Sequence, residues 1–213
     1  MSETEIAERF KRETATHVME IKHDDGLYRH LRFKSPKHGR YWFDLITVPH
    51  ALIFRGDGES FVFSRTDDMF EFFRSGLWSD GSLHIDAVYW AGKLTSDRDS
   101  VMKYSKELFD QQVAEELKEA EADWPGVTKA WDETVNDFFA SYNTEYEHDA
   151  RAAVDAFEFW LGDDTEEPFR FQDTGEWEFK DYHWWFLWAL HGIVWGISQY
   201  DQARAAAVQG GEQ

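Results

Sequence analysis

The side chains best suited to chemistry lie between residues 30 and 60. If Asp57-Gly58 forms a two-residue type I′ turn, whose central positions need the positive φ that these residues tolerate, Phe54 faces Phe61 and Leu52 faces Phe63. Counting back through the earlier hairpins pairs Leu45 with Phe54, Phe33 with Tyr41 and Leu31 with Phe43. Strand alternation then sets His30, Asp44, Arg55 and Ser60 in one row on the opposite face, with Arg32, Lys34, Arg40 and Trp42 beside it. Guanidinium groups that grip an anion, an indole for stacking and an imidazole that titrates near neutral pH would suit a nucleotide or another phosphorylated ligand. The same residues would also serve as a cross-strand ion ladder on a solvated face, or as a face covered by acidic helices of the same chain.

A second group crowds residues 183–195. Trp184, Trp188, His191 and Trp195 follow i, i+4, i+7, i+11 and share one helical stripe. That stripe is either core, with His191 hydrogen-bonded in place, or an aromatic pocket in which His183, Trp188 and His191 meet a ligand beside an acid such as Glu176. His23, Asp24, Asp25, His84 and Asp86 are of metal-binding type, yet neither HExxH nor a closely spaced His pair accompanies them, and the first three read as a turn. No metal and no cofactor is expected. Carboxylate pairs such as Glu115 and Glu119 carry little weight among 42 acids. No phosphate-binding glycine loop, GxSxG or kinase motif occurs, so no catalytic residue is assigned. The sequence has no Cys, which excludes disulfides, thiolate zinc sites and thiol nucleophiles.

These groups need an α+β scaffold to position them: an N-terminal antiparallel meander of four to five strands packed against a mostly α-helical C-terminal part. Residues 3–13 read as a helix with Ile6 and Phe10 on one face. A strand from His17 ends at the Asp24-Asp25-Gly26 turn signal and suits a sheet edge. The runs 27–34, 40–48, 51–55 and 60–64 complete the meander. Thr66-Asp67-Asp68 caps a short helix carrying Met69, Phe70 and Phe73, which Gly76 stops. Residues 97–122 read as a helix opened by Ser96 or Asp97, ending at Trp124-Pro125-Gly126. Another helical stretch covers 127–161, with a break near 141–144 and a stop at Gly162-Asp163-Asp164. The last helix runs from about 181 to 206. With no long linker, residues 1–213 are expected to form a single compact unit: sheet at 22–65, helical part at 66–206, frayed tail at 207–213.

Composition, at 42% hydrophobic and 17% aromatic, supports a folded core. The formal charge is −20. Residues 22–75 hold nine basic and eight acidic side chains, so the rest of the chain carries −21. Such a field opposes direct nucleic-acid binding and favours a basic protein partner, while also keeping the chain dispersed. The start lacks the apolar stretch of a signal peptide, and the apolar run 184–197 is too short for a membrane span, so a cytoplasmic location and no membrane partner are expected. The aromatic surplus leaves a homodimer open.

The strings HDDGLYRHLRFKSP, YWFDLITVP, FSRTDDMFEFF and DYHWWFLWALHGIVWGISQYD resemble an uncharacterised protein family of tailed bacteriophages and prophages of actinobacterial type, over about residues 23–201. The resemblance implies a phage accessory protein acting in the host cell, as a soluble early or a virion-associated product, with no assigned activity or catalytic residues. By analogy it implies an inhibitor of a host defence. Joined to the charge, it gives the expectation of a non-enzymatic binding protein whose acidic helical surface occupies a nucleic-acid-binding site on a host protein. The alternative is a binder (sponge) or hydrolase of a nucleotide-like small molecule, using His30, Arg32, Trp42, Asp44 and Arg55.

Overall fold

In a computed structural model, which describes residues 3–96, 98–136, 142–162 and 166–210, the chain is α+β. Helix α1 (Glu3–Thr14) leads into strands β1 (Val18–Asp25), β2 (Tyr28–Lys34), β3 (Phe43–Val48), β4 (Ala51–Gly56) and β5 (Ser60–Ser64). Then come α2 (Met69–Phe73), α3 (Ala87–Ala91), β6 (Met102–Tyr104), α4 (Lys106–Ala120), α5 (Val127–Asn136), α6 (Glu147–Ala156), β7 (Lys180–Tyr182) and α7 (Trp184–Gly210). Strands β1 to β5 form an antiparallel meander in sequence order, as expected, with β1 at one edge. The other edge, β5, is closed by main chain: Ser64 N–H donates to Lys93 O at 3.0 Å and Thr95 N–H to Val62 O at 2.8 Å.

Where one compact unit was expected, the chain forms two, and residue 65 is not where it divides. The first unit comprises residues 1–101 and 182–213, the second 102–181. The reason lies in α7: although it belongs to the helical part by sequence, its apolar faces complete the core of the sheet unit.

The inward face of the meander is a ladder of large apolar groups. Leu31, Phe33, Phe43, Leu45, Leu52, Phe54 and Phe63 are wholly buried. Phe33 stacks on Phe43 at 4.8 Å, and Phe43 on Phe54 at 5.3 Å. Helix α7 lies across this ladder because two of its residues are glycines four positions apart. A Cβ on Gly196 would stand 2.7 Å from Leu45 Cδ1 and 3.1 Å from the Phe33 ring, and one on Gly192 would stand 3.2 Å from Phe54. Trp188 and Trp195 then flank the contact, each meeting Phe43 edge-on, at 5.7 and 6.3 Å. Helix α1 closes the other side of α7: Phe10 packs on Trp188 at 5.1 Å, and Trp188 Nε1–H donates to Glu13 at 2.9 Å.

The register departs from expectation at one hairpin. Phe54 does pair with Phe61, Leu52 with Phe63 and Leu45 with Phe54. Between β2 and β3, however, Phe33 pairs with Phe43 and Leu31 with Leu45, a slip of two residues. The cause is a longer connection: β3 begins at Phe43 rather than Arg40, and Tyr41 turns the chain with φ of 59°. Because the slip is even, every side chain keeps its face. The Asp57-Gly58 turn is also not type I′, since neither residue has positive φ. Gly58 is required for another reason: a Cβ there would stand 2.6 Å from Trp185 Nε1.

The second unit corrects the helix expected over 97–122. Residues 99–101 form a 3-10 turn, β6 follows, and Ser105 caps α4 by accepting from Leu108 N–H at 3.3 Å. Asp97 lies outside the described residues. Strand β6 pairs with β7, and Ser105 N–H donates to Phe179 O at 2.7 Å, a distant partner that a local reading does not reveal. The stretch read as helical to 161 holds α5 and α6, with residues 157–162 extended or irregular. Ser141, Asp163 and Asp164, assigned to its break and its stop, lie outside the described residues. Helix α7 runs through Gly210, beyond the tail start expected at 207. Phe109, Trp131, Phe157, Phe171, Trp177 and Phe179 form the core of this unit.

Gly196→Ala is therefore expected to destabilise the protein by about 1–3 kcal/mol through overpacking, although alanine is the better helix former by about 1 kcal/mol. Gly39→Ala, with nothing within 4 Å of its Cβ, is expected to change stability by no more than about 0.5 kcal/mol. Chemical denaturation of both variants checks the contrast.

Candidate functional site

On the outward face of the meander, the residues expected to act together do come together. Asp44 on β3 is fully buried and takes a two-pronged hydrogen bond from Arg32 on β2, at 2.7 and 2.8 Å. Arg55 on β4 reaches it at 3.2 Å. His30 is not directly opposite Asp44, as the expected register had it, but pairs with Ile46. It still brings Nε2 to 3.3 Å from the carboxylate, an ion-pair distance without hydrogen-bond alignment. Trp42 lies just before β3, with the Arg32 and Arg55 guanidinium groups 5.1 and 5.3 Å from its ring centre.

Burial would raise the Asp44 pKa, but the hydrogen bonds and charge of Arg32, with a smaller part from the nearby His30, hold it below the usual carboxylate range. The Arg32 guanidinium is stabilised in turn, chiefly by its hydrogen bond to Asp44. One buried carboxylate thus engages both cations and sets them beside one indole. This is the geometry of a structural ion cluster, with Arg55, 51% exposed, as the cation that keeps the most access to water. Arg40 belongs to the loop before β3, where its N–H meets His38 Nδ1 at 3.4 Å.

The residues singled out on the last helix do not form one pocket. Trp188 and His191 both flank Phe10 inside the core, the latter 5.8 Å away, and His191 Nδ1–H donates to Leu187 O at 2.8 Å. His183 precedes the helix and stands 3.9 Å from Glu59. Glu176 belongs to the second unit. The expected pocket of His183, Trp188 and His191 thus resolves into a buried helix stripe and a separate, part-buried histidine, because His183 stands before the first helical turn.

Among the described residues, no three His, Cys, Asp or Glu gather as metal ligands. Asp24 accepts from Tyr200 at 2.8 Å and Arg204 at 3.0 Å, and Asp86 caps α3 through Tyr89 N–H. His84 stacks on Trp78 at 5.0 Å. No described helix is long and apolar enough to cross a membrane.

Sequence reasoning missed a second buried ion pair in the first unit. Arg29 on β2 grips Asp68 at 2.9 and 3.0 Å, while Asp68 also caps α2 by accepting from Phe70 N–H at 2.8 Å. Asp68 was legible as a cap; its cation, 39 residues earlier, was not.

The charge divides with the structure. The second unit holds 23 acidic and seven basic side chains among its 80 residues, a formal −16, leaving −4 for the first. Its α4 and α5 border a groove of about 410 Å³ lined in part by Asp110, Asp132 and Glu145, with Lys106 paired to Asp110 at 2.6 Å. In the same unit, burial first, then the carboxylates of Asp110, Glu145 and Glu147, push the Tyr104 phenol up to about 12. Compared with known proteins, the chain matches no family model, no curated protein and no solved structure.

The depressed Asp44 and Asp68 pKa values carry a signed consequence. Their stabilisation is present above the unfolded-state value of about 4 and is lost as pH falls through the folded-state values. Unfolding free energy should therefore drop on acidification below about pH 4. Asp44→Asn should cost about 2–4 kcal/mol at neutral pH and show a shallower acid slope than the parent protein. Denaturant titrations across pH measure both.

Proposed function

We propose that this chain is a binding protein rather than an enzyme, and that its acidic second unit occupies a basic, nucleic-acid-binding surface on another protein. The observation that carries the reading is the concentration of −16 in 80 contiguous residues, while the sheet unit stays near neutrality. Carboxylates spaced along helices meet the same Lys and Arg groups that phosphates would, and they steer association over distances that salt shortens. Within the first unit, Arg32 is engaged by the fully buried Asp44, and the buried Arg29 by the partly buried Asp68. That matching supports a scaffold role for the sheet and weakens the reading of its outer face as a nucleotide clamp. The sequence resemblance supplies the setting for this proposal: a phage accessory protein acting on a host defence or nucleic-acid-binding protein inside the host cell.

The test is affinity capture from host lysate with the parent protein and two variants. Reversing Asp110, Asp132 and Glu145 to Lys is expected to abolish capture of a basic protein that the parent retains at low salt and loses at high salt. Arg32→Ala with Arg55→Ala, if still folded, should leave capture intact. Loss of capture only in the arginine variant, or no partner at low salt, would overturn the reading.

A further inference from the structure

We propose that the groove between the Asp57-Gly58 turn and the start of α7 binds an organic ammonium ion, of the methylated or quaternary kind. The groove has a volume of about 250 Å³, and its lining residues include the aromatic Tyr41, Trp184 and Trp185 and the acidic Asp57 and Glu59. The rings meet at steep angles instead of stacking flat: Trp184 and Trp185 are 4.9 Å apart at 67°, and Tyr41 and Trp185 6.1 Å apart at 50°. Angled aromatic walls with nearby negative charge attract a cation that carries its charge on methyl groups, because ring faces are electron-rich and such a cation is weakly hydrated.

The walls are fixed in place. Tyr41 holds a left-handed backbone, φ 59°, which is strained for an aromatic residue. Its N–H donates to Asp57 Oδ2 at 3.1 Å, and its carbonyl accepts from His17 Nε2 at 2.9 Å. Trp185 stacks on Trp188 at 4.8 Å and is only 5% exposed. Its one donor, Nε1–H, is buried beneath Gly58, so the ring offers the groove no hydrogen-bond edge for an anion.

The lining argues against an anion. Among the described residues no Lys or Arg lines the groove, and its two acidic residues repel a phosphate. A neutral apolar molecule would gain nothing from Asp57 or Glu59. Trp184 is already used as a cation acceptor by the chain itself: the Arg9 guanidinium stands 3.7 Å from its ring centre. Arg9, whose guanidinium also interacts with the Tyr41 side chain, is not among the residues that line the groove. His183, 3.9 Å from Glu59, closes the rim.

Tetramethylammonium is the probe, with tert-butyl alcohol as its uncharged counterpart of similar shape. Added to the full chain labelled with nitrogen-15, the cation is expected to shift the Trp184 and Trp185 indole signals saturably, and the alcohol is not. Asp57→Asn with Glu59→Gln keeps the shape of the turn and removes its charge, and should weaken binding about threefold to tenfold. Trp184→Leu should abolish it; if that variant fails to fold, the carboxamide pair still decides. The absence of a saturable shift, equal binding of the alcohol, or unchanged affinity in the carboxamide variant would each overturn the assignment.

Discussion

The first unit depends on how closely α7 can lie on the phenylalanine ladder. Gly192 and Gly196 remove the two Cβ atoms that would otherwise meet Leu45, Phe33 and Phe54. Trp188, Trp195 and Phe10 then fill the space on either side, so wide aromatic groups surround a narrow backbone contact. Close packing of this kind tolerates little change in volume, and it fixes the position of everything attached to α7, including the start of the helix beside the Asp57-Gly58 turn.

The two units treat charge in opposite ways. In the first, acids with little or no exposure are each matched to a guanidinium group: Asp44 to Arg32 and Arg55, Asp68 to Arg29. Breaking such a pair leaves an ion without its partner, so these contacts lock strand order and helix placement more than they add net stability. In the second unit no such balance holds, since acids outnumber bases there by 23 to seven. Its aromatic core must hold the unit together against that self-repulsion.

Much of the sheet was legible in the sequence, because alternation of Phe and Leu with polar residues fixes which side chains share a face. The grouping of His30, Arg32, Trp42, Asp44 and Arg55 followed from that alternation and survived a two-residue slip. The slip itself came from Tyr41, whose left-handed backbone nothing in its side chain announces. The helix expected from residue 97 failed because Ser96-Asp97 and Ser105 look equally like caps, and the choice is made by pairing with a strand about 80 residues away. The division into two units was illegible for lack of a linker. The Gly192–Gly196 spacing in an aromatic helix was the one available signal of a close helix contact, and its meaning emerges only when the ladder beneath it is known.

The second unit interrupts the first in sequence, since residues 102–181 separate the sheet from the helix that covers it. During synthesis the strands of the ladder therefore emerge well before α7, the helix that covers them. Closure across so long a stretch of chain is slow, and a bare face of phenylalanine and leucine is adhesive while it lasts. The intervening residues, by carrying most of the negative charge, are well suited to keep nascent chains apart during that interval.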